Sequence, residues 1–161
     1  MRRLADIEIA ALPDIIGQCI DLGSVEIHDR TWTPLTPKNV TVVRGPKIYY
    51  PGDPGPTDNS YHLAHMVHEM VHVWQYLHMG VGMYSLRWID RRYRYTLEPG
   101  KRFRQYGLEQ QASMFEDFSR RGNGLPYRWA QGDPSIEQLA DTLRTCSEDF
   151  APYAKIPTPS V

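Results

Sequence analysis

Between Tyr61 and Met79 the chain alternates apolar and polar residues with the period of a helix. Projected at about 100° per residue, Leu63, Met66, Val67, Met70, Val71, Val73, Trp74 and Leu77 fill one arc. His62, His65, His68, Glu69, His72 and Tyr76 gather in an opposing arc about 120° wide. No Pro or Gly interrupts the stretch, Ser60 stands as its N-cap, and Gly80 is placed to close it with a left-handed residue. A second helix is predicted over Gln105–Arg121, ended by Gly122-Asn123-Gly124. A third opens at Asp133-Pro134, with Ile136, Leu139, Ala140, Leu143 and Phe150 recurring on one side. Near the start, Leu4, Ile7, Ala11, Ile15 and Ile16 recur at helical intervals around Pro13, which predicts one kinked or two short helices up to residue 22. Val25 and Ile27 alternate with Glu26 and His28 as a short strand. Val40, Val42, Ile48 and Tyr50 flank Gly45-Pro46 as a hairpin. The Pro- and Gly-rich run PGDPGPTDNS, residues 51–60, reads as a surface loop, and the tail at 155–161 as loose.

A sheet followed by helices, without strand-helix alternation, is an α+β order: a small antiparallel sheet packed on the histidine-rich helix, plus further helices. The length of 161 residues suits one domain, 1–161, and no internal repeat argues for a second. Apolar residues at 41% and charged residues at 23% exclude a wholly disordered or collagen-like chain. Lys and Arg number 18 against 19 Asp and Glu, so composition alone implies no polyanionic partner. No apolar run approaches the roughly 20 residues of a membrane span, and Asp6 and Glu8 interrupt the place where a signal peptide needs its apolar stretch. A protein without a signal peptide or membrane partner is therefore expected, in the cytoplasm or exported by a specialised route. Cys19 and Cys146 are too few for a disulfide framework and read as small apolar groups, with one bridge open in an oxidising compartment.

The histidine arc carries the chemistry. His68-Glu69-Met70-Val71-His72 matches H-E-x-x-H, which puts two imidazoles on successive turns of one face to hold a metal ion beside a Glu that can polarise a water. The opposite arc can be buried while this one lines a cleft. Two imidazoles leave a catalytic zinc site one protein ligand short, and no histidine follows His78, so the third is expected to be a carboxylate. Glu98, Glu109 and Glu116 are the candidates. Glu98 lies in a loop, whereas Glu109 and Glu116 share a helix face with Ala112 and Ser113 between them, small enough to let two helices approach. Glu109 is the first choice, and Glu116 the partner behind it or the alternative ligand. Gln75 can orient a ligand or simply be solvated. His62 and His65 read individually as solvated face, and His78 as surface. Between Arg87 and Arg104, seven basic residues stand against Asp90 and Glu98, interleaved with Trp88, Tyr93, Tyr95 and Phe103. This segment reads as a solvated cover with inward aromatics before it reads as a nucleic-acid surface.

The stretches GSVEIHD, NVTVVRGPKIYYPGD and LAHMVHEMVHVWQ, within residues 24–75, resemble the zinc metallopeptidase module of the eCIS-core type. That family is found beside contractile injection systems and polymorphic toxins, and the chain is also similar to small bacterial proteins labelled Vgr-related. His68, Glu69, His72 and Gln75 stand at the HExxHxxQ positions, and YGLEQQA, with Glu109, is similar to the Glu-bearing helix of gluzincins. The stretch from Gly80 to Tyr106 has no counterpart in that pattern. The resemblance implies a zincin or minigluzincin-like fold, a Zn2+ cofactor, a protein or peptide substrate and a secretion-system or toxin partner. The expected reaction is peptide hydrolysis with Glu69 as base, Tyr106 or His65 stabilising the oxyanion, and the Val40–Tyr50 hairpin offering an edge to an extended substrate. Two other readings stay open, a non-catalytic zinc module of a secretion or toxin system and a nucleic-acid-binding module.

Overall fold

The computed structural model describes residues 1–87 and 91–150; the tail expected to be loose at 155–161, and Trp88 of the basic segment, lie outside the described residues. Pro13 splits the N-terminal apolar pattern into two short helices, α1 (Asp6–Ala10) and α2 (Asp14–Cys19), and itself occupies the N-cap of α2, where its missing N–H costs nothing. Three strands of three residues follow: β1 (Glu26–His28), β2 (Val42–Arg44) and β3 (Lys47–Tyr49). Gly45, at φ 61°, makes the turn between β2 and β3 in a conformation that disfavours other residues.

The sheet is mixed, which corrects the expected antiparallel one. Its order is β1-β3-β2, with β3 antiparallel to β2 but parallel to β1. The chain between residues 28 and 42 carries β2 past the place beside β1, so the returning strand of the hairpin takes it. Ile27, Ile48 and Val43 stand in register across the three strands and are buried together as one row. Arg2 exchanges two backbone hydrogen bonds of 2.9 Å with Ile27 on the other side of β1. This leaves β2 as the outer strand on the hairpin side.

The long helix α3 (Ser60–Arg87) starts at Ser60, but its cap is Asn59, whose Oδ1 accepts from Tyr61 N at 2.9 Å and His62 N at 3.3 Å. The expected cap at Ser60 is thus displaced by one residue, because Asn reaches the second and third amides as readily as Ser does. Gly80 does not take the left-handed helical conformation expected to close the helix: its φ of 73° is positive but its ψ of 159° is extended, and the helix resumes beyond it. Met66, Val67, Met70, Val71, Val73 and Trp74 are buried as the apolar arc requires, whereas Leu77, at the end of that arc, is exposed. Helix α4 (Leu108–Gly122) begins later than expected, since Gln105 belongs to a 3-10 turn at Phe103–Gln105. Helix α5 (Ile136–Phe150) is opened by Ser135 and Gln138, which cap each other reciprocally. Leu139 and Cys146 of α5 join Phe103, Phe115 and the α3 residues in one core.

Helix α4 lies along α3 with Ala112 and Ser113 fully buried between them. Gln75 of α3 crosses the seam and donates to Leu108 O at 3.1 Å and Gln111 Oε1 at 3.0 Å. Gln111 in turn donates to Tyr106 O at 2.8 Å.

Replacing Asn59 by Ala should destabilise the fold by about 1 kcal/mol, as loss of an N-cap does, while Ser60→Ala should lie within about 0.5 kcal/mol of wild type. Urea unfolding of the two variants checks the assignment, and the reverse order would restore Ser60 as the cap.

Candidate metal centre

His68 and His72 of α3 and Glu109 of α4 bring their ligand atoms to one point. The two Nε2 atoms lie 3.2 Å apart, and Glu109 Oε2 lies 3.3 Å from His68 Nε2 and 3.1 Å from His72 Nε2. All three residues are buried, and among the described residues they form the one group of three such side chains whose ligand atoms lie within 4.8 Å of one another. Zinc–nitrogen distances of about 2.0–2.1 Å in tetrahedral geometry imply ligand–ligand spacings of about 3.3 Å, so the observed spacings fit that ion. Glu98 is remote from the cluster, exposed and paired with Lys101 at 2.6 Å.

Each imidazole is held from behind. His72 Nδ1 meets Gln75 Oε1 at 2.8 Å, and Gln75 is buried, so its solvated reading fails and it orients His72. His68 Nδ1 lies 3.1 Å from Glu116 Oε2, an ion-pair distance without the geometry of a hydrogen bond. Glu116, also buried, accepts from Trp129 Nε1 at 2.7 Å and Arg128 Nη1 at 3.1 Å. Glu109 and Glu116 therefore take the two nitrogens of one imidazole. Burial opposes a proton on His68, but the two carboxylates outweigh it and raise its pKa to about 10. Burial equally opposes the charge on Glu116, yet His68, Trp129 and Arg128 hold its pKa down at about 2, and the paired imidazoles hold Glu109 far below the carboxylate range. A donor set that draws a proton in among ionised carboxylates is one that suits a cation.

The cluster opens into a cleft of about 700 Å3, within the range of about 300–1,000 Å3 common to ligand sites. Residues 39–43, leading into and along β2, form one wall, and Tyr93, Arg128 and Trp129 another. Glu69 lines the cleft beside the cluster, with Oε1 3.5 Å from His65 Nε2. His65 also meets Thr41 Oγ1 at 3.4 Å and the edge of Tyr50. Burial lowers the His65 pKa, so it stays a neutral imidazole at pH 7.

Tyr106 does not reach this cleft. Its hydroxyl accepts from Glu98 N at 3.2 Å and donates to Thr96 O at 3.3 Å, and its ring lines a separate groove with Arg92, Arg94, Lys101 and Arg104. Tyr93 stands where Tyr106 was expected. Its ring stacks on His68 at 5.9 Å and on Trp129 at 4.9 Å, and its hydroxyl interacts with Glu109. Burial and the nearby carboxylates push its pKa up to about 12, so the hydroxyl keeps its proton. The other aromatics of the basic segment, Tyr95 and Phe103, are buried, as its reading as a cover requires. Composition gave Tyr93 no distinction from them, and nothing in the sequence singled out Arg128 or Trp129.

His62 is buried rather than solvated. It stacks on Tyr50 at 5.9 Å and meets Glu8 Oε1 at 3.3 Å. Glu8 is bound in turn by both terminal nitrogens of Arg2, at 2.6 and 2.8 Å, and Arg2 also holds Asp53 of the 51–60 loop at 2.6 and 2.8 Å. His78 is half-buried, with Nδ1 2.8 Å from Trp74 O.

No family model matches the chain. In an alignment of 129 positions that covers 73% of its length, it is 30% identical to the type VI secretion system spike protein VgrG2b of Pseudomonas aeruginosa; the match spans 13% of that protein. The solved effector domain of Pseudomonas aeruginosa VgrG2b superposes with a TM-score of 0.61 and 26% identity, covering 94% of this chain and 83% of that one. The chain is homologous to that effector domain. Among the described residues no helix is long and apolar enough to cross a membrane.

The Arg2, Glu8 and Asp53 group makes a pH-dependent contribution. Burial opposes ionisation of both carboxyls, but Arg2 outweighs it and both pKa values are lowered. Their stabilisation is complete above the ordinary carboxylate range near about pH 4 and is lost as pH falls through the lower folded-state values. The stability gap between wild type and Arg2→Gln should therefore be widest at neutral pH and close in acid. Urea titrations at neutral and acidic pH measure it, and a gap that widened in acid would contradict the assignment.

Proposed function

We propose that the protein is a zinc-dependent, zincin-like hydrolase of peptide bonds, carried to its substrate by a secretion machine. The observation that carries this reading is the meeting of two imidazole nitrogens and a carboxylate oxygen at 3.1–3.3 Å in the wall of a cleft that also holds Glu69. The homology to a spike-protein effector domain supports the secretion part.

His68, His72 and Glu109 would hold the ion, and zinc in such a site supplies Lewis acidity that acidifies a water and polarises the scissile carbonyl. The remaining work falls to the chain. Glu69 takes a proton from the attacking water and passes it to the leaving amine. Tyr93, protonated and beside Glu109, donates toward the developing oxyanion, with His65 as the other polar group near Glu69. Gln75 and Glu116 keep the imidazoles turned toward the site. The outer edge of β2 and the residues before it offer backbone groups to an extended peptide.

Purified protein should carry about one zinc per chain. The double variant His68→Ala, His72→Ala should lose it, and Glu109→Ala should weaken it more than Glu116→Ala does. Metal analysis decides, and the opposite ranking of the two Glu variants would exchange their roles. Glu69→Gln should keep zinc and lose at least about 100-fold in peptide cleavage, the usual size of a general-base contribution. Equal cleavage by wild type and variant would remove Glu69 as base. Zinc retention with no cleavage by either would favour the non-catalytic zinc module.

A further inference from the structure

The wall formed by residues 128–130 is fixed with unusual thoroughness. Asp117, fully buried on α4, accepts from the backbone N–H groups of Arg128 at 2.7 Å, Trp129 at 3.1 Å and Ala130 at 2.8 Å, and from the Tyr95 hydroxyl at 3.1 Å. Its neighbour Glu116 binds the side chains of Arg128 and Trp129. Tyr95 pairs with the same segment through Tyr95 N to Trp129 O at 3.3 Å and Gln131 N to Tyr95 O at 2.9 Å. Two adjacent carboxylates of one helix thus lock both backbone and side chains of a loop.

That anchoring presents a cation to the cleft. The Arg128 guanidinium rests over Trp129 at 4.4 Å and gives one of its N–H groups to Glu116, yet its side chain remains 49% exposed. The side chains of the other formally charged described residues lining the cleft, Glu69, Glu109 and Glu116, are each at most 7% exposed. Among the described residues lining the cleft, the exposed charge is therefore positive. It also lies close to the proposed reacting centre: Glu116 touches both Arg128 and His68, and Trp129 stacks on Tyr93, which stacks on His68. An extended peptide advances about 3.3–3.6 Å per residue, so a group on Arg128 belongs to a residue near the bond held at the cluster.

We propose that Arg128 is a specificity-determining residue that selects peptides bearing a carboxylate near the bond to be cleaved. The proposal rests on the peptide-hydrolase reading. A guanidinium held planar and pre-oriented is the donor best matched to a carboxylate, because it binds both oxygens and loses little freedom in doing so. The carboxylate has two sources, an Asp or Glu side chain or the free C-terminus of the peptide.

The test uses the zinc-loaded Glu69→Gln protein and calorimetric binding of short peptides built from Ala, Val and Phe. In one arm, peptides blocked at both ends carry Glu or Gln at each position in turn. In the other, peptides with a free C-terminus are compared with their amides. The carboxylate form should bind at least about 10-fold tighter in one arm, as a charge-assisted bond warrants, and that arm identifies the source. The gap should shrink as salt is raised. It should close in Arg128→Gln, persist in part in Arg128→Lys and, in Arg128→Glu, give way to a preference for Lys. No gap in either arm, or a gap that survives in Arg128→Gln, overturns the proposal. Wild-type cleavage of the same peptides separates the two readings. A binding gap without cleavage keeps Arg128 and rejects the hydrolase, whereas cleavage without a carboxylate preference keeps the hydrolase and rejects Arg128.

Discussion

Buried charge must be matched, and that constraint organises the structure around the seam between α3 and α4. His68, His72, Glu109 and Glu116 occupy positions where an ordinary helix pair would place Leu or Ile. Leaving any one of them alone would cost several kcal/mol, on the order of 3–5 when a buried partner is removed. The cost is avoided because each group faces an opposite or complementary one at 3.1–3.3 Å. Such spacing is possible only where the helices come close, and Ala112 and Ser113 allow that. The Gln75 bonds to Leu108 and Gln111 then fix the axial register, so the same contact that satisfies polar groups also aligns ligand atoms.

Much of this was legible from spacing alone. The His and Glu residues of α3 fall on one face by helical arithmetic, and the small pair between Glu109 and Glu116 pointed to the close approach that the structure brings about. Short strands and their turn were legible because Gly45-Pro46 leaves few options. The parallel pairing of β1 with β3 was not, since strand order depends on where residues 29–41 run, and three-residue strands carry no pattern that encodes it. His62 was misread for a related reason. Its burial comes from Arg2, Glu8 and Tyr50, partners remote in sequence that helix periodicity cannot announce. Tyr106 was expected at the oxyanion on spacing alone, whereas its ring lines a separate groove and Tyr93 is the tyrosine stacked on His68.

The tandem Glu116-Asp117 divides labour in a way neither residue reveals alone. Successive residues on a helix point about 100° apart, so Glu116 faces the α3 seam and Asp117 faces the chain beyond α4. Asp117 collects three backbone N–H donors and a hydroxyl, which is the inventory a buried carboxylate needs. Its pKa is nevertheless raised, because burial outweighs those bonds. The wall it holds is therefore maintained by hydrogen bonding to a costly charge, an arrangement that makes sense where position matters more than stability.

Glu109 and Glu116 lie seven residues apart, two helical turns or about 10 Å along α4, yet they reach opposite nitrogens of the same His68 ring. The ring must then stand roughly between the two turns, with Nε2 directed to the cluster and Nδ1 at ion-pair distance from Glu116 without forming a hydrogen bond. Sliding α4 by one turn, about 5.4 Å, would break both contacts together with the Gln75 bonds. Ligand choice, ring orientation and helix register are consequently one variable rather than three. Of the segments that border the cleft, residues 39–43 lie outside this coupled seam, whereas Arg128 and Trp129 are tied to it through Glu116. Residues 39–43 can change in sequence without removing a partner of the cluster, whereas a change at 128 or 129 takes a donor from Glu116, so that wall couples recognition to the chemistry of the seam.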